Sequence, residues 1–120
     1  MTNQSLLEDV KMTAVITVAV LGIILSVIGV INMTGNISSV HGYHRKRVTE
    51  ENKKAFGKLV GGGTLIIGLA MIVYGILLFA FEKTQNEVFS LIGVVILIAS
   101  IVVGSALSFY AMKKYNGGIF

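Results

Sequence analysis

The sequence has no cysteine, no proline and no tryptophan. Without cysteine there is no disulfide, no thiolate metal site and no thiol nucleophile, and the redox compartment stays open. Without proline, a sharp bend inside a helix would need glycine pairs or a local bulge. Charge is scarce too, at 13% of residues, and long stretches carry none. Hydrocarbon fills the space. Apolar residues make up 54% of the 120, and mean hydropathy is +0.83, more than a soluble chain of one-domain length carries. The solvent for most of this chain is a lipid bilayer.

Three apolar runs contain no charge, at 12–33, 59–81 and 88–112. As helices they extend roughly 33 to 38 Å, enough to cross a hydrocarbon core of about 30 Å. The first run follows Glu8 and Asp9 and lacks the basic start and small-residue cleavage site of a secretory signal, so it is expected to be retained as a transmembrane helix. The predicted fold class is all-α: one integral membrane domain over 1–120, with three transmembrane helices in an antiparallel bundle. A basic loop at 34–58 joins the first two, a hairpin at 82–87 joins the last two, and 113–120 is a tail.

The loop holds six of the ten basic residues and both histidines. Asn32, Thr34, Gly35 and Asn36 mark the end of the first helix, as cap and turn residues do. Ile37, Val40 and Tyr43, spaced by three, are expected to lie along the headgroups with His41 and His44 beside them. Thr49 ahead of Glu50 and Glu51 reads as the N-cap of a helix that continues through Lys53, Lys54 and Lys58 into the second span.

Loop and tail together carry eight Lys and Arg, against Lys11 and Lys83 elsewhere. Such residues collect on the cytoplasmic side, which predicts a cell-membrane protein with its N-terminus outside and its C-terminus in the cytoplasm. Cations flanking apolar spans meet anionic headgroups rather than nucleic acid. Tyr43, His44, Arg45, Lys46, Arg47, Lys53, Lys54 and Lys58 are therefore the expected lipid- or partner-contacting set.

Lipid tails are as apolar as leucine, so membrane helices associate where small residues let backbones approach. Gly22, Ser26 and Gly29 supply such a stripe in the first span, Gly61, Gly68 and Gly75 in the second, and Gly93, Ser100 and Gly104 in the third. The recurrent interval of seven returns to nearly the same helix face. Gly62 and Gly63 fall off the second stripe, which predicts either a further close contact, with a second copy or a larger membrane protein, or a monomeric bundle in which these glycines are merely permissive.

No Asp, Glu, Lys, Arg or His falls inside an apolar run, so the residues that build proton relays and ion coupling are missing there. Lys58 precedes Gly61, Gly62 and Gly63, the reverse of the phosphate-loop order. Two histidines without a third ligand make a poor metal site. No enzyme activity, cofactor or metal is expected. Tyr74 is the deepest polar side chain with reach, and its hydroxyl is expected to find a neighbour's carbonyl, Ser or Thr. Ser26, Thr64, Ser100 and Ser105 are expected to bond back to their own helix.

The segment GNISSVHGYHRKRVTEENKKAFGKLVGGGTLIIG, with Gly42, Tyr43, Glu50, Phe56, Gly57 and Lys58, resembles the loop and second-helix entry of small three-span bacterial membrane proteins of unknown function. The closing KYNGGIF is similar as well. A more distant similarity runs to SdpI-like immunity and signalling proteins, which have a polar loop of comparable style. The resemblance implies the three-span topology. The expected function is a non-enzymatic accessory or regulatory membrane protein. The alternative is an immunity, signalling or small-solute permeation protein of SdpI-like type, which a wet cavity lined by Thr64, Tyr74 and Ser100 would favour.

Overall fold

The computed structural model describes residues 3–37 and 48–115. Three long helices account for most of them: α1 over Asn3–Met33, α2 over Lys53–Thr84 and α3 over Glu87–Tyr115. All three are long and apolar enough to cross a membrane.

The first helix starts at Asn3, well ahead of the apolar run at Met12. Gln4, Leu6, Leu7, Glu8 and Lys11 are good helix formers, so the helix persists into water after the hydrocarbon ends. It stops at Met33, where the amides of Thr34 and Gly35 donate to the carbonyls of Ile31 and Asn32 at 3.1 and 3.0 Å. Gly35 has φ +100°, a left-handed conformation that glycine adopts without strain.

At the start of the second span Thr49 holds the N-cap position expected of it, but without the capping bond. It is extended and stands just before a single 3-10 turn, Glu50–Asn52. The turn is closed instead by the Asn52 amide donating to the Thr49 carbonyl at 3.0 Å, and Lys53 pairs back to Glu50 at 2.9 Å.

Of the six residues expected as a hairpin at 82–87, four are helical. Only Gln85 and Asn86 separate α2 from α3, because Glu82, Lys83 and Glu87 tolerate helix as readily as loop and the change of polarity marks only the membrane boundary. Gln85 takes φ 58° and its amide donates to the Phe81 carbonyl at 2.7 Å. Asn86 caps α3 through Oδ1, which accepts the Val88 amide at 3.0 Å. The Thr84 hydroxyl donates to the Ala80 carbonyl at 2.8 Å and accepts the Asn86 amide at 3.2 Å.

In the arrangement of the three, α2 is the middle member. Both α1 and α3 pack along it, and they make almost no contact with each other among the described residues. The cause lies in the three consecutive glycines. A step of two residues rotates about 200° around a helix, so Gly61 and Gly63 face opposite sides. Gly61 meets Gly29 of α1, and Gly63 meets Gly104 of α3.

The register is antiparallel on both sides. Along α1, Gly29 and Gly22 pair with Gly61 and Gly68, and Val15 lies near Gly75, so each step of seven up α2 is a step of seven back down α1. On the other side Gly63 opposes Gly104, while Tyr74 and Leu77 oppose Gly93.

Side-chain packing concentrates at the end that carries the long loop. Ile37, Val48, Phe56, Val60 and Ala111 form a buried cluster, with Leu59, Met112 and Tyr115 packed around it. Ile37 is 2% exposed, so it does not lie along the headgroups as its spacing suggests. It turns in to Phe56, because Gly35 reverses the chain beside Lys54. Val40 and Tyr43 lie outside the described residues.

Candidate functional site

Three consecutive residues at the start of α2 organise the loop end. Phe56 is 0% exposed in the cluster with Ala111 of α3. Gly57 is buried with the Asn32 carbonyl of α1 where its Cβ would be. Lys58 is exposed. Rotation of about 100° per residue sends each in a different direction: one locks α3, one seats α1 and one reaches outward.

This locking decides where the cations gather. Phe56 against Ala111 places the first turns of α2, with Lys53, Lys54 and Lys58, at the same end as the last turn of α3, with Lys113 and Lys114. Lys54, Lys58, Lys113 and Lys114 are exposed; Lys53 is partly covered and paired with Glu50. The Lys114 ammonium sits over two rings, 5.8 Å from Tyr110 and 5.3 Å from Tyr115. That is the stance of a cation held beside interfacial aromatics. Ile37 and Val48 anchor both ends of the connection that carries Tyr43, His44, Arg45, Lys46 and Arg47. Those five residues, and His41, lie outside the described residues.

Eight of the nine expected packing positions lie in or beside helix contacts, and the ninth, Ser100, is buried with its hydroxyl bonded within its own helix. Gly22, Gly29, Gly61, Gly68, Gly75, Gly93, Ser100 and Gly104 are buried, and Ser26 is half-buried against Gly68. The approach is backbone to backbone: a Cβ on Gly22 would fall 2.7 Å from the Gly68 carbonyl oxygen, and one on Gly29 would fall 2.6 Å from that of Gly61. Gly75 is looser, with its nearest neighbours at 3.5 Å. Gly63 makes its off-stripe contact within the chain, against Gly104, so it does not require a second copy or a larger protein. At Gly62 a Cβ would meet nothing within 4 Å.

Three of the four hydroxyls expected to bond back to their own helix do so, and Ser105 makes no such bond among the described residues. Ser26, Thr64 and Ser100 donate to the carbonyls of Gly22, Val60 and Leu97 at 2.7, 3.0 and 2.7 Å. Tyr74 departs from expectation. Its ring lies against Gly93, and among the described residues its hydroxyl has no hydrogen-bond partner. Two grooves open at the end where Gln85 and Asn86 link α2 to α3, and Thr64, Tyr74 and Ser100 line neither.

What sequence reasoning misses is the clasp of Ile37, Val48, Phe56 and Ala111. Phe56 is the available signal: a large aromatic among charges, outside any apolar run.

Three helices of this length and apolarity define a multi-pass membrane protein with an all-helical fold. Compared with protein families, with curated proteins and with solved structures, the chain matches none.

Proposed function

We propose that this chain is a non-enzymatic accessory or regulatory protein of the cell membrane, with its N-terminus outside and its basic loop and C-terminus in the cytoplasm. The loop and the adjoining helix ends hold anionic headgroups. A partner's acidic surface, on a second copy or a larger membrane protein, would compete for the same cations.

One observation carries this reading. Phe56 against Ala111 brings Lys53, Lys54, Lys58, Lys113 and Lys114 to one end of the molecule, so five of the ten cations gather there among the described residues, and in sequence Arg45, Lys46 and Arg47 fall between Ile37 and Val48 of the same cluster. A cation near an anionic surface is worth about 1 kcal/mol, and the five described cations together exceed the thermal energy many times over. Clustering at one end is also the charge pattern that fixes orientation during insertion.

The test is hydrogen exchange over residues 38–58 in the protein reconstituted into vesicles of phosphatidylglycerol or of phosphatidylcholine. Protection in the anionic vesicles is expected, weakened by salt and by the triple variant Arg45→Gln, Lys46→Gln, Arg47→Gln. Equal exchange in both lipids would remove the proposal.

A further inference from the structure

At the link end, away from the basic loop, α1 and α2 part to leave a cleft of about 670 Å³, within the size range of small-ligand sites. Glu8, Asp9 and Lys11 line it from α1, and Glu82 and Lys83 line it from α2. Leu7 and Met12 add apolar surface. Met12 opens the charge-free run of the first span, so the cleft straddles the boundary between hydrocarbon and water.

Its charges are only loosely satisfied by each other. Lys11 and Glu82 stand 3.7 Å apart across it, with side chains 51% and 21% exposed. An ion pair that long, with its ammonium half exposed, contributes little and is easily exchanged for a ligand contact. The Lys83 ammonium lies 5.4 Å from the ring centre of Phe79 on its own helix, and Lys83 has no carboxylate partner among the described residues.

We propose that this cleft binds the head group of an aminophospholipid. Lys11 and Lys83 take the phosphate, Glu8 and Asp9 take the primary ammonium, and Leu7 and Met12 meet the beginning of the acyl chains. Three carboxylates beside two ammoniums suit a ligand that carries both signs and disfavour a net anion. Choline would call for aromatic rings around its quaternary nitrogen, and none of the residues lining the cleft is aromatic. A metal ion is not favoured either, because no group of three acidic or histidine side chains among the described residues is placed to hold one. The site lies at the opposite end from the cationic cluster and does not depend on the function proposed for it.

The experiment is native mass spectrometry of the full chain released from detergent after equilibration with phosphatidylethanolamine, phosphatidylcholine and phosphatidylglycerol of matched acyl chains. Phosphatidylethanolamine should be retained about tenfold over the other two. The double variants Lys11→Gln/Lys83→Gln and Glu8→Gln/Asp9→Asn should each bring it to parity. All four positions are exposed, and unchanged helicity in circular dichroism confirms that each variant is folded. Equal retention of the three lipids by the unaltered chain overturns the proposal, as does a preference that survives both double variants. Soluble phosphoethanolamine that binds as tightly as the lipid would move the ligand from membrane to free solute and overturn the lipid assignment.

Discussion

Gly63 and Gly104 meet backbone to backbone: a Cβ on Gly63 would lie 2.5 Å from the Gly104 carbonyl oxygen, and a Cβ on Gly104 would lie 2.7 Å from that of Gly63. The Ile67 side chain closes over it, 2.8 Å from where a Cβ on Gly104 would lie. Helix association in lipid depends on such approach, since no water is expelled when two membrane helices meet.

Replacing either residue by alanine should therefore separate α2 from α3. Gly63→Ala and Gly104→Ala are each expected to destabilise by about 1–3 kcal/mol, the usual cost of overpacking. Gly61→Ala should do the same on the α1 side. Gly62→Ala and Gly75→Ala are the internal controls, since a methyl group finds open space at the first and ordinary contact at 3.5 Å at the second. Unfolding in mixed micelles, followed by circular dichroism, gives the order.

Phe56 should be the most sensitive single position at the loop end. It is 0% exposed and shares its cluster with Ile37 and Val48 from the loop and Ala111 from α3. Phe56→Ala is expected to cost about 3–5 kcal/mol and to release both ends of the loop, seen as faster hydrogen exchange around Ile37 and Val48. Phe56→Leu should lose much less. An alanine variant with unchanged stability and exchange would remove the clasp from the account.

The spans are legible in the sequence because hydrocarbon imposes one rule on every residue inside it, and the glycine stripes because seven-residue intervals return to one helix face. The helix ends are less so. At Glu82 the polarity changes where the membrane stops, yet the helix goes on to Thr84, because backbone hydrogen bonding persists in water. Thr49 shows the same limit, since a capping residue in sequence need not cap when a 3-10 turn intervenes. In sequence Gly63 reads as a surface for another protein because its partner, Gly104, is far away along the chain. Ile37 follows a spacing rule that Gly35 overrides.

The Lys11–Glu82 pair predicts a small effect. Glu82→Gln should change stability by about 0.2–1 kcal/mol, as exposed pairs do, and the change should shrink at high salt. A loss of several kcal/mol would mean that this pair, and not the glycine contacts, holds the link ends of α1 and α2 together.

The orientation of the three spans supports everything proposed about the basic loop, and the absence of cysteine makes it directly measurable. Single variants Asn3→Cys, Gln85→Cys, Ser38→Cys and Asn116→Cys can be probed in intact cells with a membrane-impermeant maleimide. The account predicts labelling at positions 3 and 85 and none at 38 and 116 until the membrane is opened. Labelling of 38 or 116 from outside, or of 85 and 116 from the same side, would contradict it.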